Sequence, residues 1–276
     1  VQNRQNYAQD LQIQSRGFGA RSTFGVRGIR LIADGIPATM PDGQGQAATF
    51  SLSSAERIEV LRGPFSVLYG NASGGVIQLF SEDPPLVARV TPSVAAGSDG
   101  TWRAGLTAGG RSGGVGYVAG VDRFSTDGFR PQSAATRDNA MAKLEWAAGE
   151  PTQVTLLANY MDVPLAQDPL GLTRTEFDAN PDGTNPAAIL FDTRKSFSQS
   201  QAGLAVRHEL GREIALRGVA YVGQRDVRQF QAIPTAPQNA PTHPGGVIDL
   251  ERVFYGVDVR VIAQLAPAGL ATTLVA

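Results

Sequence analysis

From about residue 87 to residue 276 the chain alternates apolar and polar residues with period two, and this feature restricts the fold most. Successive side chains on a strand point to opposite faces, so such alternation describes strands with one apolar and one polar side. Trp102, Ala104, Leu106 and Ala108 share a face opposite Arg103, Gly105 and Thr107. Val115, Tyr117, Ala119 and Val121 oppose Gly116 and Asp122; Ala140, Ala142, Leu144 and Trp146 oppose Lys143 and Glu145. Val154, Leu156, Ala158 and Tyr160 oppose Thr155 and Asn159, and Ala202, Leu204 and Val206 oppose Gln201 and Arg207. Val253, Tyr255, Val257, Val259 and Val261 oppose Asp258 and Arg260. The stretch from Ile214 to Arg228 has no readable face. A wall with lipid on one side and a wet lumen on the other requires this pattern.

The links between these strands alternate in length. Those near Arg111-Ser-Gly-Gly, Ala148-Gly-Glu-Pro, Leu210-Gly-Arg-Glu and Ala266-Pro-Ala-Gly are tight; those near 124–135, 163–195 and 230–248 are long and rich in Pro, Asn, Asp and Gly. Around Ser98-Asp-Gly100 the link is short. Outer-membrane barrels alternate short periplasmic turns with long outer loops in this way. Trp146 and Tyr160 are placed near strand ends, where amphipathic rings favour an interface. The count is about nine antiparallel strands. An odd number is disfavoured in a closed single-chain bacterial barrel, and about eight strands leave no room for a further domain.

Composition removes several alternatives. No run approaches the ~18–20 apolar residues of a transmembrane helix, a measure blind to barrels. A net charge of −1 provides no bulk attraction for nucleic acid. Without Cys there is no disulfide scaffold, Cys-ligated zinc or thiol nucleophile, and two distant histidines, His208 and His243, argue against a His-rich metal site. No catalytic constellation emerges, so an enzyme is not expected. Val1-Gln-Asn-Arg opens without the pattern of a signal peptide, and Leu270 to Ala276 reads as the middle of a strand. The expectation is a piece of a longer chain, cut at both ends.

Residues 1–84 read as a separate α+β domain. Leu11-Gln-Ile-Gln is expected as a short strand running into the turn at Arg16-Gly17. Arg30 to Ala33 is a strand followed by an Asp34-Gly35 hairpin turn and by Pro37, which ends pairing. Pro41-Asp-Gly-Gln-Gly-Gln46 is a polar loop. Ser53 or Ser54 is expected to cap a short helical turn with Glu56 at its positive end. Ile58 to Arg62 returns to strand, Pro64 opens a helical turn to Tyr69, Gly70 closes it, and Gly74 to Phe80 is a last strand.

Ile13-Gln-Ser-Arg-Gly-Phe-Gly19, Asp34-Gly-Ile-Pro37, Arg57-Ile-Glu-Val-Leu-Arg-Gly-Pro64 and Leu68-Tyr-Gly-Asn-Ala-Ser-Gly-Gly-Val-Ile77 stand in this order. Together they resemble the plug domain of TonB-dependent outer-membrane receptors. The resemblance implies a partial plug over 1–84, followed over 85–276 by the first strands of an incomplete 22-stranded transmembrane barrel. It implies TonB-dependent uptake of a ferric siderophore or ferric citrate-like chelate across the outer membrane of a Gram-negative bacterium. Iron would be carried only as chelated substrate, with no resident cofactor or metal. TonB, through an upstream box, the chelate and outer-membrane lipid are the implied partners, and nucleic acid is not. Cobalamin, a copper chelate or an oligosaccharide in the same family, a passive porin-like barrel, and a soluble β-rich hydrolase are the alternatives.

Ligand in these receptors sits between outward plug loops and the inner wall. The loop Ala20-Arg-Ser-Thr-Phe24 therefore nominates Arg21, Ser22, Thr23 and Phe24. Gly43-Gln-Gly-Gln46 resembles the ferric citrate receptors, whose corresponding glutamines touch ligand, and nominates Gln44 and Gln46. Arg16 and Arg62 match plug arginines that pair with barrel glutamates, with Glu145 and Glu209 as inward-facing candidates.

Overall fold

The computed structural model describes residues 6–22, 25–63, 66–70, 72–266 and 270–276. Two sheets form. The first has the order β2-β1-β4-β3, with β1 (Ile29–Ala33), β2 (Ile36–Pro37), β3 (Ala55–Arg62) and β4 (Gly75–Ser81). The central pair β1/β4 is parallel, and β1/β2 is a hairpin whose turn puts Asp34 at φ 47° and Gly35 at φ 83°. Both positive angles are what an Asp-Gly type I′ turn supplies.

Three sequence expectations for this sheet need correction. Leu11–Gln14 lies outside every strand. The turn at Leu52–Ser54 forms, but its N-cap is Ser51, and Ser53 and Ser54 lie inside it. Glu56 belongs to β3 rather than to a helix start. The short helix α1 (Ser66–Tyr69) ends at Gly70, at φ 71°, as expected; Pro64 lies outside the described residues.

The second sheet is a nine-stranded antiparallel meander of sequential neighbours. It runs through β5 (Arg89–Ala96), β6 (Trp102–Ser112), β7 (Val115–Thr126), β8 (Ala135–Ala147) and β9 (Thr152–Gln167). It continues through β10 (Arg194–Glu209), β11 (Ile214–Phe230), β12 (Val247–Leu265) and β13 (Thr272–Val275). Tight turns and long loops alternate as the sequence predicts. Gly113 and Gly114, at φ 57° and 83°, make the two-residue link between β6 and β7. The long link between β9 and β10 contains α2 (Arg174–Ala179) and α3 (Pro186–Leu190). Thr173 and Glu176 cap α2 reciprocally, a Thr-x-x-Glu signal present in the sequence.

Exposure follows the predicted faces except at Val154 of β9, which is buried although it shares a side with the exposed Leu156, Ala158 and Tyr160. In β7, Val115, Ala119 and Val121 are exposed while Gly116, Val118, Gly120 and Asp122 are buried. Val253, Tyr255, Val257 and Val259 form an exposed apolar ridge on β12. Tyr160, placed near a strand end by sequence, lies in the middle of β9. For β11 the structure supplies what the sequence did not: Ala215, Val219, Gly223 and Arg225 are buried on the concave side.

That concave side is not uniformly wet. The first sheet lies within the curve of the second, and Ile36 at the hairpin tip packs with Val118, Met141, Leu157 and Val219 from four strands. Toward the long loops, Ala8 packs with Met161, Val163 and Phe197. The first sheet keeps its own core around Val26, Ile29, Leu31 and Ala38. Burying these apolar side chains between the two sheets removes them from water, at about 25 cal/mol per Å2.

Candidate site between the plug loops and the wall

The 38–46 loop folds around backbone hydrogen bonds. Met40 N donates to Gln44 O at 2.9 Å and Gly43 N to Met40 O at 2.9 Å. Gly45 pairs with Val26 in both directions, at 2.7 and 2.8 Å. A Cβ at Gly45 would press on Leu31, so the residue lets the loop close onto β1. Pinning Gly45 directs Gln44 and Gln46, two apart, to the same side.

Gln46 is buried, and its Nε2 donates to Asp10 Oδ2 at 2.9 Å. Asp10 also accepts from Gly25 N at 2.9 Å and takes Lys195 Nζ at 3.1 Å. Burial raises the Asp10 pKa, but the Lys195 ammonium and the hydrogen bonds from Gln46 and Lys195 outweigh it and hold the carboxyl below its ordinary value. Gln44 Oε1 accepts from Arg252 Nη1 at 3.4 Å, and Asp42 Oδ2 takes the same nitrogen at 3.0 Å.

The wall opposes this loop with a row of polar groups. Gln199, Arg225 and Arg252 are directly paired across β10, β11 and β12. Arg225, 4% exposed, donates to Gln199 Oε1 at 3.2 Å. Like charges opposite each other on neighbouring strands repel, so the Arg225/Arg252 pairing must be offset by something acidic. Between loop and wall is a cavity of about 210 Å3 lined by Arg27, Gln44, Gln46, Lys195, Arg225 and Arg252, among others. Four cationic side chains face two carboxylates there, Asp10 in the lining and Asp42 bonded to Arg252. A second cavity of about 390 Å3 shares Asp10 and Gln46 and extends to Tyr7, Arg103 and Arg137. Both lie at the long-loop end of the sheet: Lys195, one residue past the start of β10, lines the first, and Gly128, Phe129 and Ser133 of the β7–β8 loop line the second.

The sequence-nominated residues are distributed unevenly. Gln44 and Gln46 come together here. Arg21 is exposed and outside both linings, and Ser22 Oγ donates to Gly25 O at 2.7 Å. Thr23 and Phe24 lie outside the described residues. Arg16 and Arg62 are exposed; Glu145 pairs with Lys143 at 3.4 Å and Glu209 with Arg207 at 2.7 Å. Among the described residues neither glutamate meets either arginine. Sequence reading passed over Asp10, Lys195, Arg225 and Arg252. Lys195 could have been found by parity, because it shares the inward side of β10 with Gln201.

Residues 1–76 match a family model described as the TonB-dependent receptor plug domain. A relative, the vitamin B12 transporter BtuB of Photobacterium profundum, is 28% identical over 176 residues, covering 55% of this chain and 28% of the transporter. The fold matches the ferric citrate transporter FecA in its unliganded form with a TM-score of 0.67 at 20% identity, over 87% of this chain and 38% of that one. It matches the open form of the ferric-catecholate import receptor Fiu from E. coli K12 with a TM-score of 0.66 at 14% identity, over 89% and 41%. The chain thus spans well under half the length of the proteins it resembles.

Proposed function

We propose that this chain is part of a TonB-dependent receptor and serves the TonB-dependent uptake of a ferric chelate across a bacterial outer membrane, a reading supported by the plug-model match and the shared fold. The observation that carries the reading is the cation-rich cavity between Gln44/Gln46 of the plug and Lys195, Arg225 and Arg252 of the wall. Guanidinium forks and amide side chains suit the peripheral oxygens of a siderophore or ferric citrate-like chelate. The long loops then face the exterior and the tight turns the periplasm. TonB, engaging an extended segment by strand addition, supplies the force that a membrane without nucleotides cannot. Substrate passes through as cargo, without covalent change.

Ferric citrate binding to the full-length receptor tests this. Arg225→Gln and Gln44→Ala are each expected to weaken it about tenfold, the equivalent of ~1.4 kcal/mol. Unchanged affinity in both variants would remove the chelate reading. Cobalamin is the second reading, favoured by the matched vitamin B12 transporter. Cobalamin has no multiple carboxylates to engage the wall arginines, so its binding would be insensitive to Arg225→Gln.

A further inference from the structure

A separate cavity of about 370 Å3 lies on the tight-turn side of the Ile36 contact, between the plug and strands β11 and β12. Arg30 from β1, Arg217 from β11 and Arg260 from β12 converge on it. Arg217 and Arg260 are consecutive inward positions on neighbouring strands, since Arg217 is paired directly with Arg260. The carboxylate in the lining, Asp258, is already engaged: Arg260 Nε reaches its Oδ1 at 2.7 Å and Nη2 its Oδ2 at 3.0 Å. Among the described residues, neither Arg30 nor Arg217 has a carboxylate within ion-pair distance. Tyr221 of β11 lines the same cavity, and its phenolic hydroxyl can donate to an acceptor held there.

The neighbouring backbone is shaped to hold these groups. A Cβ on Gly35 would collide with the Arg217 guanidinium, so the hairpin turn seats that side chain directly. A Cβ on Gly256 would lie 2.6 Å from the Tyr221 hydroxyl, so the glycine gives that ring its place. Burial pulls the Arg30 pKa below its ordinary value, and the opposing pull of Asp258, which is engaged by Arg260, does not overcome it. Two such guanidiniums beside a third are costly to keep together unless negative charge joins them.

We propose that this cavity is an anion-binding site, taking a compact oxyanion of the phosphate or carboxylate class between Arg30 and Arg217, with the Tyr221 hydroxyl as a further donor. Arg217 and Arg225 are eight positions apart on β11, about 26 Å at ~3.3 Å per residue, so this site is distinct from the outer cavity. It does not depend on the nature of the outer ligand.

Equilibrium dialysis of radiolabelled inorganic phosphate against the full-length receptor in detergent is the test. Saturable binding is expected to weaken about tenfold or more in Arg30→Gln and Arg217→Gln. It is expected to persist in Arg225→Gln and to be partly retained in Arg30→Lys, which preserves charge and guards against simple misfolding. No saturable binding by the parent, or equal binding by the parent and both Gln variants, would overturn the proposal. So would loss of binding in Arg225→Gln alone, or a crystal structure of the complete receptor with a carboxylate from another strand seated between Arg30 and Arg217.

Discussion

Lys195 Nζ lies 3.1 Å from Asp10 Oδ1, a contact that spans 185 residues of sequence and ties the plug to the barrel wall at the long-loop end. Both side chains are largely withdrawn from solvent, with 5% and 15% of their surface exposed. Gln46 and Gly25 saturate the second carboxylate oxygen. A buried pair of this kind is weak evidence of net stability, but removing one partner leaves a charge without compensation.

Asp10→Asn in the full-length protein should therefore lower stability by about 3 kcal/mol, the low end for a broken buried pair because Asp10 keeps some exposure. Denaturant unfolding measures it. Asp10→Asn/Lys195→Met should recover part of the loss. A double variant as damaged as the sum of both singles would show that the two groups do not interact.

The same carboxyl makes a pH prediction. Its folded pKa lies below the ordinary value of 3.8, so its contribution is complete above that value and is lost as pH falls through the depressed folded pKa. The difference in unfolding midpoint between the parent and Asp10→Asn should be constant from neutral pH to about pH 5 and shrink below about pH 4. A difference that grows on acidification would contradict the assignment.

Ile36, 2% exposed, meets Gly203 so closely that a Cβ on the glycine would stand 2.5 Å from Ile36 Cδ1. Ile36→Ala should cost about 2–5 kcal/mol through lost burial and the cavity left behind. Gly203→Ala should also destabilise by crowding. Together the two should be less damaging than their sum, since the new methyl enters the space vacated. Strict additivity in thermal unfolding would show that the hairpin tip does not seat against β10.

Trp102 and Trp146 both stand on the convex face, with Leu106 and Leu144 beside them. In a full-length protein keeping only these two tryptophans, lipids brominated along their acyl chains should quench the fluorescence of both. Val257→Arg, in the exposed ridge of β12, should cost about 2–4 kcal/mol if it lies near the bilayer midplane. Unquenched emission with a harmless Val257→Arg would place this face in water.

Side-chain parity, link lengths and turn chemistry are local properties, and each was legible along the chain. The convex faces of β7, β8, β10 and β12, the Gly113-Gly114 link and the Asp34-Gly35 hairpin all follow from residues adjacent in sequence. β11 was not legible, because Arg217, Val219, Tyr221 and Arg225 mix charge and grease on one face. That mixture makes sense only against two different surfaces of the plug: Ile36 opposite Val219, and the Gln46–Asp10 corner near Arg225.

The sequence by itself determined that a strand-rich wall with one apolar side follows a plug-like domain, since strand pleating and tight turns impose period and composition on every strand separately. Only the tertiary structure decided which charges meet. Asp10 with Lys195, and Arg30 beside Arg217, become neighbours through the docking of one sheet inside the curve of another. Electrostatic energy depends on distance in space, and separation along the chain carries no information about it.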